Sequence, residues 1–196
     1  VTNVDNDTAG FIVTPTSGLQ TTEGGGTDTF TVVLASQPTA DVTIAVSSSD
    51  ATEATAAPAS LTFTDQNWNA PQTVTVTGRD DALADGDQPY KIITSAATSS
   101  DAGYSGINAA DVSLTNLDND SAGILVSPTS GLVTTEGGGT DQLTVVLLSQ
   151  PTQNVTIPVS SSDTTEGTVS TALLTFTPAN WNAPQPVTVK GADDFI

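Results

Sequence analysis

Carboxylates stand at the ends of the β-branched runs of this chain: Glu23, Asp50, Asp80, Asp81, Asp85, Asp87, Asp118 and Asp120. Acids in turns between strands gather at the poles of a sandwich, and the order of the runs places this set at one pole, with Glu23 reaching it from a kinked first strand. A like-charged pair at ~5 Å costs about 3 kcal/mol at an effective dielectric of ~20. A hard dication removes that cost. Calcium takes roughly 6–8 oxygen ligands in flexible geometry, whereas magnesium accepts fewer protein ligands and keeps more water. The chain has no histidine and no cysteine, so its donors offer nothing to zinc or copper. Calcium is therefore the expected cofactor. Asp28, Asp41, Asp65, Asp101 and Asp111 fall outside the set and are expected to face solvent.

Other chemistries fit less well. The stretch from Asp81 to Gly86 looks like the start of an EF-hand loop, but Leu83 holds its third position and Ile92 its twelfth, where a bidentate glutamate belongs. Glu23-Gly24-Gly25-Gly26 has an acid and no lysine, which argues against a phosphate cradle. Paired carboxylates could serve a glycosidase, yet no insertion long enough to form a cleft is present. Without histidine or cysteine, serine and threonine lack an ordinary base, and no enzyme is expected. Trp68 and Trp181 share the frame Asn-Trp-Asn-Ala-Pro-Gln and read as loop anchors in preference to sugar platforms. Three glycosylation patterns begin at Asn6, Asn119 and Asn154, a weak signal.

The elements that must position the acids are strands. Phe11–Val13, Thr29–Leu34, Val42–Val46, Leu61–Phe63, Val74–Thr77, Tyr90–Thr94 and Val112–Thr115 are short, β-branched and mostly alternating. Turn clusters such as Pro15-Thr16-Ser17-Gly18 and Asp85-Gly86-Asp87-Gln88-Pro89 separate them. About seven strands in a unit of this size predict an immunoglobulin-like antiparallel β-sandwich.

The sequence also contains itself. Shifted by 113 residues it realigns without a gap, and 57 of the 83 pairs between residues 1–83 and 114–196 are identical. A period this long is a domain, not a solenoid turn. The expected organisation is a tail of a preceding repeat at 1–7, a complete repeat at 8–120, and a second repeat at 121–196 that lacks its C-terminal strands. The counterpart of Ala84–Ser113 would fall after Ile196, which suggests a window onto a longer array. The alternative is a subunit whose missing strands come from a neighbour.

Twenty-two acids against three bases give a formal charge of −19. That balance excludes the clustered Lys and Arg on which nucleic-acid binding depends, and it disfavours anionic membrane surfaces. No apolar run reaches membrane-span length, so this fragment is not expected to insert into a bilayer. The alternating pattern separates the chain from disordered acidic sequences.

Taken together, Glu23 with its glycines, Asp50 after a strand, Asp80-Asp81 with Asp85 before an aromatic strand, and Asp118-Asn119-Asp120-Ser121-Ala122-Gly123 at the exit resemble the Calx-β domain. The resemblance runs from about Ala9 to Asp120 and resumes from Ala122. It implies that Glu23, Asp50, Asp80, Asp81, Asp85, Asp118, Asn119 and Asp120 are calcium ligands, Asn119 through its amide or carbonyl. In the second repeat it implies Glu136, Asp163, Asp193 and Asp194. The expected function is a calcium-stabilised structural repeat of a secreted or cell-surface stalk or fibre, packed against neighbouring repeats of the same array. An adhesin module for carbohydrate or protein is one alternative. Another is a filament subunit assembled with other copies of the chain by strand exchange.

Overall fold

The computed structural model describes Val1, Val4 and residues 6–193. The chain is all-β and forms two compact units, Val1–Asp81 with Asp85–Asn119, and Ala82–Ala84 with the residues from Asp120 onwards.

Among the described residues the first unit has nine strands: β1 (Phe11–Thr14), β2 (Leu19–Thr22), β3 (Thr27–Leu34), β4 (Val42–Ser48), β5 (Ala54–Ala57), β6 (Ser60–Phe63), β7 (Gln72–Gly78), β8 (Gln88–Thr94) and β9 (Val112–Leu117). One sheet has the order β1-β3-β7-β5 and the other β2-β9-β8-β4-β6. Neighbours are antiparallel except β2 and β9, which run parallel, with Leu19 opposite Leu114. Alternation decides what lies between the sheets. Phe30, Val32 and Leu34 of β3, Val42, Ile44 and Val46 of β4, and Val74 and Val76 of β7 are buried in one core with Tyr90, Ile92, Val112 and Leu114. Their neighbours along each strand are mainly Thr and Ser, which satisfy a wet outer face.

Two strands go beyond the seven expected. The first apolar run is divided: β1 pairs with β3, and β2 crosses to the opposite sheet beside β9. The crossing is made at Pro15–Gly18, and Gly18 carries the positive φ (81°) that a side chain would resist there. Strand β5 is rich in alanine, which gives little β signal. It forms because the edge of β7 offers it a ladder from Ala54↔Gly78 to Ala57↔Thr75.

The connection from β8 to β9 is held down by side chains. Tyr104 is buried, its hydroxyl donating to the Ser36 carbonyl at 2.6 Å and accepting from the Ser36 N–H at 3.0 Å. Its ring meets Phe11 edge-on at 6.0 Å. Asp101 accepts the Thr39 N–H at 2.7 Å and the Gly103 N–H at 2.8 Å. These backbone bonds, Thr39 first, hold its carboxyl below the ordinary value of 3.8. Asp101 is therefore a loop clamp and not merely a solvent-facing acid. The same correction applies to Asp28, which accepts the Gln20 N–H, and to Asp111, which accepts the Thr94 N–H.

The second unit contains β10 (Ile124–Ser127), β11 (Thr140–Leu147), β12 (Val155–Pro158), β13 (Gly167–Val169), β14 (Leu173–Phe176) and β15 (Gln185–Gly191). Its sheets are β10-β11-β15-β13 and the pair β12-β14. A smaller core of Val145, Leu147, Leu174, Phe176 and Val187 lies between them. No helix among the described residues is long and apolar enough to cross a membrane.

Two consequences follow for the first unit. Tyr104→Phe leaves the Ser36 groups without their partner and is expected to cost about 1–2 kcal/mol in urea unfolding. Because the Asp101 carboxyl is depressed in the folded state, its contribution is present above pH 3.8 and lost as pH falls through the folded value. Asp101→Asn is thus expected to flatten the acid limb of a stability-against-pH curve while lowering stability at neutral pH.

Candidate metal centre

The candidate site is built on a close backbone approach. At the end of β7 a Cβ on Gly78 would lie 2.3 Å from the Thr22 carbonyl oxygen and 2.5 Å from Asn116 Oδ1. Only glycine lets β7 finish against β2 and β9 there. The chain leaves this contact as Arg79-Asp80-Asp81, so the three strands deliver their acidic turns to one place.

Asn116, 1% exposed, organises that place. Its Oδ1 accepts from Thr21 Oγ1 at 2.9 Å, and its Nδ2 donates to Glu53 Oε2 at 3.2 Å and to the Arg79 carbonyl at 3.1 Å. Thr21 also bonds the Tyr90 hydroxyl at 2.9 Å. Glu53 lies in the turn after Asp50, where its carbonyl accepts the Arg79 N–H at 2.8 Å. The Arg79 guanidinium turns to the Ala51 carbonyl at 3.0 Å. Burial pushes the Glu53 carboxyl up from its ordinary value, the Asn116 amide opposes this, and the charges of Asp50, Asp85 and Asp81 reinforce it.

Carboxylate oxygens of Glu53, Asp81 and Asp85 all lie within 4.8 Å of one another. Glu53 was not anticipated from the sequence. The signal was present, because Glu53 and Glu166 occupy the same place in the two repeats, three residues after Asp50 and Asp163.

Beside this group, Glu23 and Asp118 bring carboxylate oxygens within the same 4.8 Å. Glu23 is 3% exposed. Its Oε2 accepts the Asn119 N–H at 3.1 Å, and its own N–H donates to the Leu117 carbonyl. Asp118 Oδ2 accepts the Gly86 N–H at 2.6 Å, while the Asp118 N–H goes to Asp87 Oδ1 at 3.1 Å. Asn119 Nδ2 donates to Asp80 Oδ1 at 3.1 Å. Asn119 thus serves Asp80 and Glu23 as a donor, in a position where a third acid would add charge. Asp120, the next residue, belongs to the second unit.

Asp50 is in neither group. Its Oδ1 accepts from the N–H and hydroxyl of Thr52, chiefly the hydroxyl, which depresses its carboxyl. Asp163 repeats this turn with Thr165. In the second unit Glu136 and Asp193 line one depression with Gly138, Thr168 and Lys190. Lys190 brings a positive charge to a position where the first unit has Thr77. Glu136 and Glu166 are exposed, unlike Glu23 and Glu53. Asp194 lies outside the described residues.

The donors of the first unit are all hard oxygens, which suits calcium or magnesium and no softer metal. No protein-family model matches the chain. No curated protein matches it. Among solved structures it is similar to CBD12 from CALX1.2, at 14% identity and a TM-score of 0.43, covering 95% of this chain and 76% of that one. It is also similar to the apo form of the Calx CBD1 domain, at 16% identity and a TM-score of 0.43, covering 56% and 96%. The periplasmic chaperone SfaE matches at 12% identity and a TM-score of 0.44, covering 92% and 87%. These are likenesses of fold. The acidic groups stand on the chain's own side chains.

Raised carboxyl pKa values carry a defined sign. Glu53 binds its proton more tightly folded than unfolded, so stability falls as pH rises from about 4.5 through the folded value. In metal-free buffer Glu53→Gln is expected to raise the unfolding midpoint at pH 7 and to leave it unchanged below pH 4. A lower midpoint at pH 7 would show that the charge is already compensated within the chain.

Proposed function

We propose that this chain is a calcium-stabilised structural repeat of a secreted or cell-surface stalk or fibre. The observation that carries the reading is the grouping of Glu53, Asp81 and Asp85, whose oxygens converge within 4.8 Å while Asn116 holds Glu53. Each ionised pair at that distance costs about 3 kcal/mol at an effective dielectric of ~20. A bound dication turns that repulsion into attraction. Glu53, Asp81 and Asp85 would hold one ion. Glu23 and Asp118 would hold another, and Asp80 would sit alongside, tied by Asn119. Calcium suits such oxygen-rich turns better than magnesium, which keeps more of its water. In the second unit Glu136, Asp193 and Asp194 are proposed as a weaker set, since Lys190 already supplies positive charge there, while Asp163, like Asp50, is engaged by its own turn.

The mechanical role rests on the near-identity of the repeats. Binding modules diverge in their loops, and here the Glu23–Asp28 loop recurs unchanged as Glu136–Asp141, and the pair Asp80-Asp81 recurs as Asp193-Asp194. Extracellular calcium-binding modules typically have dissociation constants of about 10⁻⁴–10⁻³ M, and this site is proposed to fall in that range. The chain's partners are then further repeats of its own array.

Calcium that binds only the folded state should stabilise it by about 2.7 kcal/mol at a hundredfold excess over Kd. Thermal unfolding of the chain with and without calcium is expected to show this rise. Asp81→Asn should abolish most of it, and Asp41→Asn should leave it intact. Equal losses from both substitutions would point to general screening of the −19 charge. Calorimetric titration that detects no calcium binding at millimolar concentrations would overturn the reading.

A further inference from the structure

The outer faces of the two sheets of the first unit differ in kind. On the sheet β1-β3-β7-β5, alternation turns Thr27, Thr29 and Thr31 of β3 and Thr73, Thr75 and Thr77 of β7 away from the core. Each strand thus reads Thr-x-Thr-x-Thr, and the register sets Thr31 opposite Thr73, Thr29 opposite Thr75 and Thr27 opposite Thr77. Thr14 of β1 extends the first row beyond Thr31, and Thr55 of β5 extends the third beyond Thr77. The other outward positions are Ile12, Val33 and Ala57. In a chain of formal charge −19, no outward position of these strands is charged.

A wet face asks only for polar side chains. The opposite sheet meets that need with a mixture that includes Gln20, Pro89, Lys91, Ile93 and Ser113. The threonine face is regular instead. Its side chains repeat about every 4.8 Å across the strands and about every 6.7 Å along them. Threonine is stiff at χ1, so each hydroxyl and methyl is held in place before anything binds. Thr31 donates to the Thr14 carbonyl at 3.3 Å, and its oxygen can still accept. Sheet twist would spoil a match spread over many strands, but the three central rows lie on one adjacent strand pair.

We propose that this face binds ice. A stiff two-dimensional grid of hydroxyls and methyls orders the water above it, and its two spacings are close to the oxygen repeats on a prism plane of hexagonal ice. The hydroxyls enter such a lattice as both donors and acceptors, and the methyls sit between its waters. Charged side chains would impose hydration shells of their own, and the face has none. It also offers no aromatic ring or amide with which to grip a saccharide. The second unit does not repeat the grid: Ser127, Gln142, Pro186 and Lys190 stand where the first unit has Thr14, Thr29, Thr73 and Thr77. The face uses none of the carboxylates, so this inference stands apart from the calcium reading.

The test grows ice slowly from a solution of the whole chain and measures the fraction of protein taken into the ice, together with the gap between freezing and melting points. The chain is expected to enter the ice and to open that gap, while an unrelated acidic protein is excluded. Thr75→Tyr, at the centre of the grid, should abolish both effects with the thermal unfolding midpoint unchanged. Ser113→Tyr, on the opposite sheet, should leave both intact. Gln142→Thr, Pro186→Thr and Lys190→Thr together should build a second grid and raise uptake. Exclusion of the unaltered chain from ice would overturn the proposal, as would equal losses from Thr75→Tyr and Ser113→Tyr. Retention on crystalline chitin or cellulose without uptake into ice would also overturn it and assign the face to a saccharide lattice.

Discussion

The first unit depends on one buried amide. Asn116 closes the end of the sandwich at which β2, β7 and β9 finish, and each of its bonds ties a different element: Thr21 of β2, the Arg79 carbonyl beyond β7, and the Glu53 carboxylate in the turn before β5. A polar side chain so buried is tolerated only when its donors and acceptors are used. The same bonds hold the carboxylate of Glu53 in the acidic group instead of letting it turn to solvent. Packing and site geometry are therefore one constraint. Gly78 belongs to it, because any side chain there would displace both Thr22 and Asn116.

The carboxylates do more than the sequence suggests. With 22 acids in the chain, a cluster at strand ends is easy to draw, but several acids spend their oxygens on backbone N–H groups. Asp28 and Asp141 hold Gln20 and Val133, Asp101 holds Thr39, and Asp50 and Asp163 close turns over Thr52 and Thr165. Such a carboxylate at Asp50, Asp101, Asp141 or Asp163 is held below its ordinary value by these bonds. It has less to gain from a cation than Glu53, whose burial works against ionisation. Chemistry distinguishes the acids more sharply than position does.

The all-β architecture was legible because period-2 alternation needs only local sequence, as in Thr29–Leu34 and Val74–Thr77. The acids Asp81, Asp85, Glu23 and Asp118 were legible as strand-end residues. Three things were not. The division of the first strand depends on which sheet offers β2 a ladder, and β5 depends on the free edge of β7; both are tertiary facts. Glu53 was passed over because a lone glutamate among alanines and threonines has no local mark, and only Asn116, 63 residues away, gives it a role.

Local and distant interactions separate cleanly between the two repeats. Turn bonds are copied faithfully: Thr22 with Gly26 and Thr135 with Gly139, Thr64 with Asn67 and Thr177 with Asn180. Each joins residues three or four apart and needs nothing else. Burial is copied only in part, because much of it comes from strands distant in sequence. Glu23 and Glu136 sit in the same hexapeptide, Glu-Gly-Gly-Gly-Thr-Asp, yet one is buried and the other exposed. Glu23 is enclosed by the Leu117 carbonyl and the Asn119 N–H, both carried by the end of β9. The hexapeptide thus supplies a carboxylate, and the strand pair that docks beside it decides whether that carboxylate meets water or a site built from its neighbours.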